Sequence, residues 1–319
     1  MTFARSLACL VLTALLAACG EPDASSSSNW LVCQTDADCD NFPGATSCSA
    51  GFCTGADGHR VQESLVFEDT FDGPDLPSND FGFETGYSVR NNDAETYTDS
   101  EQNVFIDQGQ GELVLQAKAE TLGQAQYTSG SVNTAGLHSF TYGRIAARIL
   151  VPDGTGVGPA FWMLPEAPGD PVDVCDDTGK CISAEWPAWG DIVIMTLRSE
   201  RPTELLHTSS YATYDATKMQ YARGQGGGTQ TLPASAGAAY HEYAVEWGPK
   251  RIDWLTDGVV ADSFDTTASD IYQPSGEDPF SKAFHLRLSL AVGGLSEAPN
   301  PSLYPQQMRV DWVRVWQYQ

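Results

Sequence analysis

The sequence predicts an all-β fold, a two-sheet β-sandwich or jelly roll, over residues 61 to 319. Short runs of alternating polarity recur along it: Glu112-Leu113-Val114-Leu115-Gln116-Ala117, Gly143-Arg144-Ile145-Ala146-Ala147-Arg148-Ile149, Tyr243-Ala244-Val245-Glu246-Trp247 and Met308-Arg309-Val310-Asp311-Trp312-Val313-Arg314-Val315-Trp316. Gly, Pro and Asp turn signals separate these runs, and no long stretch of 3.6-residue period appears. Many short strands over about 250 residues, without internal repeats, are the pattern of a sandwich or jelly roll.

Shorter segments precede that domain. Residues 1–18 have the layout of a secretory signal, with Arg5 as the positive end, Leu7 to Leu16 as the apolar core and small residues at the cleavage site. Leu16-Ala17-Ala18-Cys19 is similar to a bacterial lipobox, which makes Cys19 the lipidated first residue of an exported, membrane-anchored protein facing the periplasm or the cell surface. The apolar run is too short to span a bilayer as a helix. Residues 19–29 form a Ser-rich tether, and residues 30–58 a small Cys-rich module, too short to fold without cross-links and expected to act as a spacer.

The chain has 8 Cys; Cys9 leaves with the signal and Cys19 takes lipid. The remainder is even in number, in an oxidising compartment, with no C-x-x-C spacing, so disulfides are expected rather than zinc. Cys175 and Cys181 stand apart as one pair. Cys33, Cys39, Cys48 and Cys53 cluster, with their connectivity open. Lys and Arg number 17 against 42 Asp and Glu, a formal charge of -25. Such a chain repels nucleic acid and anionic lipid headgroups, while neutral polysaccharide remains compatible.

The functional candidate is Trp186-Pro187-Ala188-Trp189-Gly190-Asp191-Ile192-Val193-Ile194-Met195-Thr196. As a strand it buries Ile192 and Ile194 and turns Asp191 and Val193 to the opposite face. Tryptophans stand at its entrance, and an indole face covers the apolar face of a pyranose well. This stretch resembles the active-site strand of glycoside hydrolase family 16, the laminarinase, lichenase and agarase group, whose pattern is W-P-x-x-G-E-I-D-I-M-E. The first Glu there is the nucleophile, the Asp supports it and the last Glu is the acid/base. The two glutamates have opposite parity, so both can face one cleft only if the strand carries a bulge near the Met. Retaining chemistry places such carboxyls about 5–5.5 Å apart.

The resemblance runs through the whole domain. Phe67-Glu68-Asp69-Thr70-Phe71-Asp72-Gly73, Tyr127-Thr128-Ser129-Gly130, Tyr142-Gly143-Arg144, Gly158-Pro159-Ala160-Phe161-Trp162-Met163-Leu164-Pro165, His241 to Trp247, Ala291-Val292-Gly293-Gly294 and Val310 to Val315 follow the family's blocks in order. It implies a concanavalin-like jelly roll that takes β-glucan-type polysaccharide, with Trp162, Trp186, Trp189 and Asn91 as sugar contacts. It further implies a structural Ca²⁺ held by Asp311 with carbonyls near Glu68 and Gly111; no cofactor is required for the chemistry. For Trp162, inside an apolar run, a place in the core is an equal rival.

The departures fall on the polar positions. Asp191 occupies the nucleophile position, Val193 the supporting position and Thr196 the acid/base position; Ser289 replaces an Asn and Ser210 a His of the family pattern. A Thr hydroxyl cannot protonate a glycosidic oxygen at neutral pH. Three readings follow: a polysaccharide-binding protein without efficient hydrolysis, an altered endo-glycosidase using Asp191 with an acid recruited elsewhere, such as Glu185, and a surface interaction module that binds no sugar.

The lipobox reading predicts that intact-mass spectrometry of the mature protein finds diacylglycerol on an N-terminal Cys19. An unmodified Cys19, or cleavage at another bond, contradicts it.

Overall fold

A computed structural model describes residues 29–31, 33–56, 58–73, 76, 78–87, 92–166, 172–175, 181–184, 189–215, 220–268, 271 and 278–318. Two nine-stranded sheets dominate it. The first runs Asn29–Trp30, Gln62–Asp69, Gln306–Tyr318, Gly143–Leu150, His241–Trp247, Arg251–Thr256 and Val259–Asp265, with Glu112–Ala117 and Val104–Asp107 beside its long strand. Gln306–Tyr318 pairs on one edge first with Glu112–Ala117 and then with Gln62–Asp69, which is how a 13-residue strand finds partners along its length. The second sheet runs Cys181–Ala184, Val172–Cys175, Gln220–Thr231, Glu204–Asp215, Ile192–Leu197, Val157–Pro165, Phe284–Val292, Ser131–Asn133 and Gly82–Phe83.

The alternating polarity of the sequence becomes the two faces of these sheets. In Val157–Pro165 every odd-numbered residue is buried while Gly158, Ala160, Trp162 and Leu164 are partly exposed. One contiguous core lies between the sheets, drawing Leu113, Leu115, Ile145, Ile149, Val313 and Val315 from the first and Phe161, Met163, Ile192, Leu286 and Leu288 from the second. Gly143 of the Tyr-Gly-Arg block has φ of 120°, and a Cβ there would lie 2.2 Å from the Trp316 carbonyl oxygen, so this strand start admits only glycine.

The Cys-rich module is docked on the domain and is no free spacer. Its disulfides are Cys33–Cys48 and Cys39–Cys53. Phe42 meets Tyr318 edge-on with ring centres 4.9 Å apart. The Asn41 side chain donates to the Arg251 carbonyl at 3.1 Å and accepts from the Lys250 N–H at 3.1 Å. Asn29–Trp30, straddling the predicted start of the module at residue 30, adds an edge strand to Gln62–Glu63. Val172–Cys175 and Cys181–Ala184 form a hairpin whose backbone register sets Cys175 opposite Cys181; the side chains of this pair lie outside the described residues, as do the signal, Cys19 and most of the tether.

Under the module sits an acidic cluster. Burial raises the Glu63 carboxyl to about 7, Glu246 pushes it the same way, and Arg144 opposes them. Burial likewise raises Glu246, which faces Arg144 Nη1 at 3.5 Å. A carboxyl whose pKa is raised on folding stabilises the fold fully below its unfolded value, and that contribution is lost as pH climbs from about 4.5 towards 7. For Glu63 the loss is on the order of 3 kcal/mol. Glu63→Gln therefore flattens this part of the profile: chemical denaturation at pH 5 and pH 8 shows a smaller drop in stability for the variant than for the parent. Equal drops contradict the assignment.

Candidate functional site

The second sheet turns one face to the core and the other outward, and the outward face gathers the sequence-predicted site residues. At its centre, Val193 pairs with Trp162 and Met195 with Phe161, so Ile194 is an extra residue with no partner in Val157–Pro165. The register slips at the same place against Glu204–Asp215, where Val193 faces Thr208 and Thr196 faces Leu206. This is the expected bulge. Its consequence is visible in the burial: Ile192, Ile194 and Met195 are fully buried and Leu197 is 2% exposed, while Val193 and Thr196 are only partly covered. Strict alternation would have turned Thr196 into the core. With the bulge, Val193 and Thr196 stand on the outward face, and alternation through buried Ile192 places Asp191 on that face too.

A bulge leaves ladder groups without strand partners, and buried ones must be satisfied elsewhere. Two side chains do this from the core side. The ring of His207, wholly buried, donates from Nδ1 to the Ile194 carbonyl at 2.7 Å. The indole of Trp254, on the opposite sheet, donates from Nε1 to the Val193 carbonyl at 3.0 Å. Gly227, paired near this point, has φ of 83°, and a Cβ on it would lie 2.2 Å from the His207 carbonyl oxygen. Neither His207 nor Trp254 is a predicted site residue; an imidazole on the buried face of its strand, between Leu205 and Ser209, is the one sequence signal for the first.

The individual groups are constrained. Asp191 is 5% exposed, and its Oδ1 accepts from the Ser210 N–H at 2.7 Å while its own N–H donates to the Ser210 carbonyl at 3.1 Å. Ser210 Oγ accepts from Arg223 Nη2 at 2.9 Å. The Thr196 hydroxyl donates to the Pro159 carbonyl at 3.1 Å and so is tied to backbone. Val193 supplies no polar atom. Among the described residues of the strand and its entrance, Asp191 is the single carboxylate.

Trp162 lies on the outward face, which decides against a place in the core. Its indole donates to Ser289 Oγ at 3.2 Å, and the Arg287 guanidinium carbon stands 4.8 Å from the ring centre. Arg287 is held by Glu84 at 2.6 Å, and Glu84 also accepts from Ser131 Oγ at 2.7 Å. His285, Arg287 and Ser289 are the outward row of Phe284–Val292, a polar alternation present in the sequence but masked by the apolar residues between them. Trp189 is partly exposed at the strand entrance. Trp186, Glu185 and Asn91 lie outside the described residues.

The residues that the resemblance assigns to calcium lie on the first sheet and its loops, each with another partner. Asp311, the one carboxylate assigned, pairs with Arg148, while at Glu68 the resemblance assigns a backbone carbonyl rather than the side chain, which pairs with Arg314 at 2.7 Å. Gly111 adopts φ of 67° beside Asp72. A Ca²⁺ site needs six to eight oxygens, and a carboxylate already neutralised by a guanidinium does not fit that need as it stands.

Comparison with known proteins follows the same lines. The family model described as Glycosyl hydrolases family 16 matches residues 200–314, a stretch that begins after the Asp191–Thr196 segment. The beta-glucanase of Rhodothermus marinus is 32% identical over 264 residues, covering 80% of this chain and 85% of that protein. Glucan endo-1,3-beta-glucosidase A1 of Niallia circulans is 31% identical over 279 residues, covering 80% of this chain and 38% of that protein's length. The solved laminarinase of Rhodothermus marinus superposes with a TM-score of 0.66 at 29% identity, covering 81% of this chain and 99% of that one.

Trp254→Phe removes the indole donor and leaves the buried Val193 carbonyl unmet, a loss of about 1–3 kcal/mol. The expected result is a lower urea midpoint that, multiplied by an unchanged m value, accounts for that loss; a midpoint equal to the parent's contradicts the role given to this hydrogen bond.

Proposed function

Since the chain belongs to glycosyl hydrolase family 16, we propose that it binds β-glucan-type polysaccharide on the outward face of its second sheet without efficient hydrolysis. The observation that carries this reading is the composition of the bulged strand: one face presents Asp191, Val193 and Thr196, and the Thr196 hydroxyl is engaged by the Pro159 carbonyl. Loss of a general acid costs roughly 10²–10⁴-fold, and about 1 Å of nucleophile misplacement on the order of 10² more, together about 5–8 kcal/mol of barrier. Binding does not share that loss. Trp162 and the partly exposed Trp189 offer aromatic surface independent of the carboxylates. In this reading Cys19 anchors the exported protein to a membrane, and the chemistry calls for no metal.

A second reading is favoured by a specific finding: the relatives above are named as glucanases. It makes Asp191, fixed by the Ser210 N–H, a nucleophile that works with an acid from another segment. Affinity electrophoresis in β-glucan gels, run beside a reducing-sugar assay, separates the two. Retardation without product is the expected result. Product release at ordinary enzyme rates, abolished by Asp191→Ala, contradicts it and selects the altered glycosidase; neither retardation nor product selects a surface module without sugar.

The bulge also makes restoration testable. Asp191→Glu, Val193→Asp and Thr196→Glu together are expected to give β-glucan hydrolysis with retained anomeric configuration, at partial rates because Ser210 and Ser289 remain. Thr196→Glu alone is expected to do little, because acid and nucleophile act as a unit. A triple variant that folds, binds glucan and stays inert would show that the site had lost more than these side chains.

A further inference from the structure

We infer that the binding face carries a subsite for an anionic sugar substituent, a carboxylate or sulfate group, centred on Arg198; the inference rests on the polysaccharide reading and narrows its ligand. Beside the bulged strand is a cavity of about 140 Å³ lined by Arg198, Arg201, Glu204, Leu206 and Thr229. Its position follows from the register. Leu206 is the partner of Thr196, and Thr229 is the partner of Leu206 on the next strand. The cavity therefore opens on the same face as Asp191, Val193 and Thr196, one strand away from Thr196. Arg198, two residues beyond Thr196, reaches it by alternation.

The charge in this cavity is uncompensated at one residue. Arg201 is bridged by Glu204 at 3.1 Å. Arg198 makes no hydrogen bond or ion pair through its side chain among the described residues, and its Nε is buried without a partner. A buried charged donor left unmet is costly and uncommon, and it is relieved when a ligand supplies the acceptor. The composition sharpens the point. Asp and Glu outnumber Lys and Arg by 42 to 17, yet among the described residues no carboxylate forms an ion pair with Arg198, and Glu204, which lines the same cavity, is bridged to Arg201.

The chemistry of the guanidinium selects the ligand. Its planar fork pairs with two oxygens of a carboxylate or sulfate, which a neutral hydroxyl cannot match. A water takes about 30 Å³ of liquid, so the cavity has room for either group with solvent around it. The net charge of -25 opposes an acidic polymer at long range. That repulsion is screened beyond about 8 Å at physiological ionic strength, while a contact with a half-buried arginine is screened far less.

The test uses one β-1,3-glucan backbone in three forms: underivatised, carboxymethylated and sulfated at matched chain length. Isothermal titration of the whole mature protein is expected to give about tenfold tighter binding to at least one acidic form than to the neutral one. Arg198→Gln is expected to remove that preference, leave neutral-glucan affinity unchanged and give a melting temperature no lower than the parent's, since the side chain has no internal bond to lose. The two acidic arms distinguish a uronate-like from a sulfate-ester ligand. Neutral glucan bound as tightly as both acidic forms overturns the subsite and leaves the polysaccharide reading intact. An acidic preference that survives in Arg198→Gln also overturns it. Failure of all three glucans to bind overturns both.

Discussion

The hydrogen bond from His207 to the Ile194 carbonyl is the point on which the arrangement of this protein turns. A β-strand changes face at every residue, so a one-residue slip reverses everything after it. The bulge at Ile194 is such a slip, and it places Ile194 and Met195 both in the core. A carbonyl forced out of its ladder within a buried layer needs another donor. His207 from the neighbouring strand and Trp254 from the opposite sheet are those donors. Because one comes from across the core, packing of the two sheets and the aim of the outward face are one structural fact. The bulge is independent of whether the side chains it presents are acidic.

That independence lets the fold keep its geometry whichever side chains the outward face carries. Asp191, Val193 and Thr196 make few demands on the core: Val193 and Thr196 are partly exposed, and Thr196 satisfies its hydroxyl locally on Pro159. Around them the face carries other charges, with Arg287 over the Trp162 ring and locked to Glu84, and Arg223 on Ser210. A guanidinium over an indole covers surface that a sugar ring would otherwise use, so in the proposed reading a sugar at Trp162 would meet Arg287 as well.

Much of this is legible in the sequence, for identifiable reasons. Period-2 alternation in Val157–Pro165 and Gln306–Tyr318 survives folding as two-faced strands. The opposite parity of positions 191 and 196 requires a bulge on its own, if both are to share one face. What escapes a reading of the sequence is non-local. Trp254 sits in a strand more than fifty residues after Val193, and nothing in its neighbourhood announces a bulge to be capped. The disulfide pairing among Cys33, Cys39, Cys48 and Cys53 depends on a hairpin that sets Cys48 opposite Cys53 and so leaves each to pair with an earlier cysteine. The docking of that module comes from Asn41 and Phe42 meeting residues far along the chain, which no local pattern encodes.

The most direct measurement is a crystal structure of the mature protein soaked with a β-1,3-gluco-oligosaccharide long enough to cross the sheet. The expected density is an unbroken oligosaccharide on the outward face, passing over Val193 and Thr196 between Trp162 and the Arg198 cavity. A chain cleaved above Asp191, or an oligosaccharide bound anywhere but that face, would contradict a binding site built on the bulge without efficient hydrolysis.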